Sequence, residues 1–598
     1  MRLGHLKKTV IPAQAGIQRL DIAGCPLSGV LAWLLAVLPL AVQAADPVTV
    51  NLIGLSPPLE KNVRAMLTMA RQPADARKEA MDLAAARAPE EIQTALQPFG
   101  YYRPKISAAL TRLKNQWVAE YRIDPGPPIH LSRVDVKLAG EAKQEPEMRV
   151  LVEKFPLQPG DVLDHALYER GRDALEEQAA EMGFFDAHLV TRQVRVDLKS
   201  YQAQITVQMD SGKRYRFGDL SYTQTPLAKE LLERFARFKP DEPYRASAVL
   251  EMQKSLLNSG YFTQADIVPR HDQARNGRMP LAVDLSMVPQ NRVDLGGGYG
   301  TDTGPRISVG YRNRFLNSYG HTFQASAKLS LIWNQIDAIY AIPLEDPERD
   351  QLAFTTKLGL EDTVAGRAKV IRGGIRHGTT RWDMREILSL DYLRETYNVG
   401  YGNQTTDLLI PSANYTWLSS DDAIFPHEGI RVDTNAAGSV EGAGSQVSFA
   451  RLRLFGKGVY SLNDDNRLIF RGQVGEMFTS DFDRMPITER FYAGGAPTVR
   501  GYRLFEISPV NALGKRTGGR HLGVASVEYD RALFGDWGMA AFSDVGYVGN
   551  DFAGPVSTGV GLGARWRSPV GPVRLDVGVP LSKALDPVQV YLILGPDL

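Results

Sequence analysis

The richest chemical pattern in the chain is the segment Arg490-Phe491-Tyr492-Ala493-Gly494-Gly495-Ala496-Pro497-Thr498-Val499-Arg500-Gly501-Tyr502. It does not alternate, and its density of glycine and proline marks a loop. A guanidinium is permanently charged and presents a planar fork of donors that fits a carboxylate. Two carboxylates follow on alternating segments: Glu528 in Ser526-Val527-Glu528-Tyr529, and Asp544 in Phe542-Ser543-Asp544-Val545-Gly546. On a loop folded back toward them, Arg500 would latch to Glu528 or Asp544. Gly494, Gly495 and Gly501 would let the backbone turn tightly. The same letters also fit a solvated loop charge and two ordinary polar wall residues.

Other candidate chemistries fail on spacing. Gly296-Gly297-Gly298-Tyr299-Gly300 suggests a phosphate loop, but a dinucleotide site needs a helix next, and no helical period follows. His427-Glu428-Gly429-Ile430-Arg431 begins like a zinc-protease motif, but Arg431 stands where the second histidine belongs. No Gly-x-Ser-x-Gly nucleophile elbow occurs. The single cysteine, Cys25, follows Ile22-Ala23-Gly24 like a lipoprotein box, yet it precedes the apolar run instead of following it. No catalytic, cofactor or metal site is therefore expected. A net charge of +1 gives no basic face for nucleic acid.

The elements that must position the arginine fall into two regimes. Residues 1–44 read as an export signal: Lys7, Lys8 and Arg19, an apolar run from Gly29 to Leu40, then Val42-Gln43-Ala44. Beyond it no run of about 18 apolar residues appears, so a membrane could be crossed only by a closed barrel.

Residues 47–289 repeat. Gly100-Tyr101-Tyr102, Gly183-Phe184-Phe185 and Gly260-Tyr261-Phe262 each end a helical pattern and open a strand, at intervals of about 80 residues. Before the first, Ile92, Ala95, Leu96 and Phe99 share a helical face, with Pro89 suited to the first turn. In the third, Leu227 to Phe238 reads as an upstream helix. The predicted unit is strand, helix, helix, strand, strand, an α+β module, with boundaries at 47–126, 127–210 and 211–289.

From residue 290 the period becomes two. Ile307, Val309 and Tyr311 alternate with Arg306, Ser308, Gly310 and Arg312; Val573, Leu575, Val577 and Val579 alternate with Arg574, Asp576 and Gly578. A charge facing lipid near the midplane costs about 2–4 kcal/mol, so the arginine-bearing faces should line a wet lumen. At roughly 19 residues per strand and turn, residues 290–598 accommodate sixteen antiparallel strands, with a loop at 490–505 between two of them. The closing seam is expected to be weak. The last strand, Val588 to Leu594, is bounded by Pro587 and by Gly595-Pro596, and the first, Val293 to Gly300, holds Gly296, Gly297 and Gly298.

Val499-Arg500-Gly501-Tyr502 resembles the lid-loop core of the BamA/TamA superfamily. The segments around Glu528 and Asp544, and Gly561-Leu562-Gly563-Ala564-Arg565-Trp566 onward to Pro572, are similar to the strands that follow that loop in the family. The resemblance covers nearly the whole chain after residue 44. It implies three periplasmic POTRA modules before an outer-membrane barrel, and it raises the latch from one option to the expected role of Arg500. Three modules resemble the TamA branch. The implied function is to assist insertion, folding or secretion of outer-membrane proteins such as autotransporters. The implied partners are unfolded outer-membrane clients, a TamB-like protein anchored in the inner membrane, and outer-membrane lipid. A two-partner secretion pore for one dedicated polypeptide, and a lipid-transport component, are the alternatives.

Overall fold

A strand that buries one face needs a covering layer, and two amphipathic helices supply it in each N-terminal module. The computed structural model describes residues 48–113, 116–301, 303–422, 424–568, 571–581 and 588–594. The export-signal reading of residues 1–44, Cys25, and the Gly595-Pro596 end of the seam lie outside the described residues.

The first module runs strand Thr49–Ile53, helices Pro57–Met66 and Lys78–Leu96, then strands Lys105–Leu113 and Gln116–Asp124. Gln116–Asp124 is central, parallel to Thr49–Ile53 and antiparallel to Lys105–Leu113. Val63, Met81, Ile92, Leu96 and Tyr121 form the core between helices and sheet. The order strand, helix, helix, strand, strand recurs twice. The second module has strands His130–Ala139, His188–Asp197 and Gln202–Asp210, and the third has Arg216–Tyr222, Phe262–Pro269 and Arg278–Met287. In each sheet the last strand of the module is central. In the third, Phe217, Phe235, Met252, Leu256, Met279 and Leu281 are buried together.

Two helix readings need correction. Pro89 is not in a first turn; it lies inside the helix Lys78–Leu96. Proline in a helix interior costs about 3 kcal/mol. Met81, Ala84 and Ala88 extend the buried face upstream of it, and burying them outweighs that loss. The helix expected from Leu227 to Phe238 spans only Lys229–Glu233. The turn that follows lets Arg234 donate to the Leu344 carbonyl at 2.6 Å and Arg237 reach Asp346 at 3.3 Å, while Phe235 and Phe238 stay buried. Tertiary contact here overrides local propensity.

Arg234 and Arg237 belong to a set of contacts that seats the third module on barrel turns. Tyr261 donates to the Gly320 carbonyl at 2.5 Å, Asn258 to Glu348 at 3.0 Å, and Ser255 also to Glu348.

The rest is a closed barrel of sixteen antiparallel strands, from Asn291–Gly300 to Gln589–Leu594. Ile307, Val309, Tyr311, Leu452, Leu454, Leu575 and Val577 are all exposed on the outer wall. Their neighbours Arg451 and Asp576 face inward, as the cost of a charge in lipid requires. Among the described residues no helix is long and apolar enough to cross a membrane; the strands do the crossing.

Candidate functional site

Between strands Asn466–Thr479 and His521–Phe534 the chain makes a long excursion. It does not stay in solvent. Met485, Ile487, Phe491, Ala493, Val499, Tyr502 and Ile507 are buried in one apolar cluster with the inner-wall residues Leu393, Tyr397, Leu408, Phe449, Leu522 and Val524. Inward positions of an outer-membrane barrel are normally wet. Here a patch of them is apolar because the loop covers it.

The polar end of the loop is Arg500. Its guanidinium forks onto Asp544 at 2.8 and 2.9 Å, and reaches Glu528 at 2.6 Å and Asp576 at 3.0 Å. The Arg500 backbone N–H also donates to Asp544, at 2.9 Å. The guanidinium plane lies 3.5 Å over the Phe542 ring, a cation–π arrangement. Arg565 bonds the other oxygens of Glu528 and Asp576, each at 2.6 Å. Two arginines thus share three carboxylates. The side chains of Arg500 and Asp544 are 5% and 0% exposed. Burying charges this deeply is tolerable only when each is paired and its hydrogen bonds are filled. Ser526 completes the set, donating to Asp544 at 2.6 Å.

Sheet register explains how such distant residues meet. Ser526 stands opposite Asp544, which stands opposite Gly559; Glu528 stands opposite Phe542, which stands opposite Gly561, which stands opposite Gly578. The three acids stand on three wall strands, His521–Phe534, Trp537–Gly549 and Gly571–Pro580, and the glycines leave a hollow beside them. A Cβ at Gly578 would lie 2.7 Å from the Gly501 nitrogen. The loop backbone fills that hollow. Gly501 itself has φ +98°, and a Cβ there would meet Val579 at 2.7 Å.

A second anchor holds the start of the loop. Glu489 is buried and ion-paired to Arg451 at 2.7 Å and to Arg372. Thr488 beside it bonds Glu395. Arg372 and Arg451 stand on the wall strands Gly366–Arg381 and Phe449–Asn463, so the loop is fastened to two separate parts of the lumen.

A third link runs to the last strand. Tyr591 accepts from the Gly501 N–H at 3.1 Å and donates to the Tyr502 carbonyl at 2.9 Å. Tyr591 is also the residue that closes the barrel, paired with Gly300. Thr301 and Val590 add backbone and hydroxyl bonds of 3.1–3.3 Å at that point. Among the described residues the last strand, Gln589–Leu594, is six residues long, shorter than the about 9–11 that span a membrane as a strand.

Of the residues singled out in the sequence, Val499, Arg500, Gly501, Tyr502, Glu528 and Asp544 come together in this one site. Gly296, Gly297 and Gly298 lie on the first strand, where Ser308 and Arg306 of the next strand occupy the space beside Gly296 and Gly298. Sequence reasoning missed Asp576, Arg565, Tyr591 and Glu489. Asp576 and Arg565 carried a signal, since both fall at inward positions of alternating runs. Tyr591 likewise falls at an inward position of the last alternating run, and Glu489 carried no signal.

Residues 291–591 match the Omp85 superfamily domain. Residues 49–125 match a domain described as POTRA domain TamA domain 1, and residues 135–212 a POTRA domain described as surface antigen variable number repeat. The chain is 36% identical over 127 residues to the outer membrane protein assembly factor BamA of Nitratidesulfovibrio vulgaris, a match covering 20% of this chain and 16% of that protein. Among solved structures, BamA from Haemophilus ducreyi lacking POTRA domains 1-3 superposes with a TM-score of 0.66 at 14% identity, over 78% of this chain and 99% of that one. The fold is therefore shared. CdiB from Acinetobacter baumannii gives a TM-score of 0.46 at 13% identity, over 78% of this chain and 90% of that one.

Proposed function

The chain belongs to the Omp85 superfamily, and on that premise we propose that it is an assembly factor of the TamA branch that helps outer-membrane proteins, autotransporters among them, to insert and fold. Its barrel lies in the outer membrane and its modules in the periplasm. A client strand in lipid leaves backbone N–H and C=O groups unpaired at several kcal/mol each, and a free strand edge relieves that cost. Three modules support the TamA branch, as does the match of the first module to the TamA type. Edge strands such as Lys105–Leu113 and Phe262–Pro269 suit capture of extended segments by β-augmentation. A TamB-like inner-membrane partner completes the reading.

One observation carries it. Among the described residues, the first and last strands pair only at Gly300 and Tyr591. Elsewhere strands pair along their length, as Asn291–Gly300 does with Gly304–Asn313. Opening this seam exposes two edges at the smallest loss of hydrogen bonds.

Thr301→Cys with Val590→Cys places a removable lock on the seam at residues that do not hold the loop. In proteoliposomes, the oxidised protein should stay folded but lose insertion of an unfolded outer-membrane client, and reductant should restore it. Equal insertion by locked and reduced protein would refute lateral opening.

A further inference from the structure

Beside the closing pair lies a cavity of about 670 Å³. Residues of both faces of the barrel wall line it. Arg306, Lys328 and Lys357 come from the inner face. Ile307, Leu329 and Leu594 come from the outer face and are exposed there. Register fixes these assignments: Ile307 stands opposite Leu329, Ser308 opposite Lys328, and Lys328 opposite Gln335. A cavity bounded by both faces passes through the wall. It can do so because Leu592 to Leu594 have no partner on the first strand among the described residues.

The inner end of the cavity is a donor surface. Three cations come from three different strands, Gly304–Asn313, Thr322–Ser330 and Gln351–Thr363. Two buried donors add to them: Thr303 Oγ1 and Trp333 Nε1 have no hydrogen-bond partner among the described residues. Both residues line this cavity. A buried polar atom without a partner costs free energy, and a ligand oxygen would remove that cost. The outer end is aliphatic and faces the membrane.

We propose that this cavity binds one anionic phospholipid. Its phosphate sits inward, held by Arg306, Lys328 and Lys357 and by the Thr303 and Trp333 donors. Its acyl chains leave through the wall along Ile307, Leu329 and Leu594. The two ends decide the ligand class. A free phosphate matches the cations but neither the volume nor the apolar exit; an extended peptide matches the gap but needs no three cations. The volume lies within the roughly 300–1,000 Å³ of ordinary ligand sites. This inference stands independently of the assembly function, because it concerns what occupies the opening and not what passes it.

The test uses the full chain purified in detergent and read by native mass spectrometry. It is titrated with dioleoyl phosphatidylglycerol and with dioleoyl phosphatidylcholine, which share acyl chains and differ in net charge. One phosphatidylglycerol should bind on the order of tenfold more tightly than phosphatidylcholine, since each cation near an anionic headgroup contributes measurably. R306Q/K328Q/K357Q should abolish that preference, and R306K/K328R/K357R should keep it. Lys328→Gln alone should reduce it several-fold, which keeps the test decisive if the triple variant fails to fold by heat-modified gel mobility. Inorganic phosphate at millimolar concentration should not displace the lipid. Equal binding of the two lipids, an unchanged preference in a folded charge-neutral variant, or displacement by inorganic phosphate would each overturn the assignment.

Discussion

Replacing Arg500 by alanine should release the loop from the wall, and the structure sets the size of the effect. An exposed ion pair is worth about 0–1 kcal/mol, whereas removing one partner of a buried pair costs about 3–5 kcal/mol. Arg500, Glu528, Asp544 and Asp576 have side chains no more than 8% exposed, so the buried figure applies. Arg565 stays on Glu528 and Asp576, and Ser526 stays on Asp544, which places the loss at the lower end. About 3 kcal/mol is roughly a hundredfold change in the ratio of docked to released loop. Single-channel recording in planar bilayers reads that ratio directly, because the docked loop occupies the lumen. Wild type should be mostly closed, and Arg500→Ala should raise the open fraction by about that factor. Arg500→Lys should fall between them. It keeps the charge but cannot fork onto Asp544 while reaching Glu528. If Arg500→Ala gates like wild type, or Arg500→Lys cannot be told from it, the latch argument is wrong.

Three further changes probe the surroundings. Tyr591→Phe leaves the Gly501 N–H unpaired and removes one of the two bonds to the Tyr502 carbonyl, which still accepts from the Gly495 N–H at 3.0 Å, a loss of about 1–3 kcal/mol, so amide exchange over Gln589–Leu594 should accelerate while distant strands exchange as before. Gly501→Ala should open the channel much as Arg500→Ala does, although the guanidinium is intact, because the backbone at φ +98° and the close approach of Val579 both exclude a Cβ. The third concerns pH at the seat of the third module. Burial pushes the Glu348 carboxyl up, but hydrogen bonds from Ser255 and Asn258 and the charges of Arg237 and Arg349 hold it on balance below its usual 4.5. A carboxylate depressed on docking contributes docking energy above that value and loses it as pH falls through the depressed one. Spin-label distances between the third module and the barrel should therefore broaden as pH falls below the usual carboxyl value of 4.5 and through the depressed one, and Glu348→Gln should not respond to pH in that range.

Much of this was legible in the letters. A helix ending in glycine and opening an aromatic strand, three times over, specifies modules, because a left-handed residue at a helix end favours glycine wherever it falls in the chain. Alternation of Ile307, Val309 and Tyr311 with arginine specifies a wall with lipid on one side, because side chains of a strand point alternately to its two faces. Arg500 and its two acids were visible as complementary types. Local pattern misled where packing ruled, as at Pro89, kept inside a helix by a buried face that extends past it, and at Phe235 and Phe238, whose helix is cut short by the barrel turn beneath.

What alternation cannot state is position around the barrel. It says that Asp576 and Tyr591 face inward, but not that they meet a loop 76 and about 90 residues earlier. Height along each strand and angle around the axis are set only when sixteen strands close with one register. That closure brought Asp576 and Arg565 into the Arg500 cluster, put Glu489 between Arg372 and Arg451, and gave Tyr591 two tasks, joining the barrel ends and holding the loop. The residue types were chosen locally; their coincidence in space follows from the stagger of a closed sheet, which no segment of sequence contains by itself.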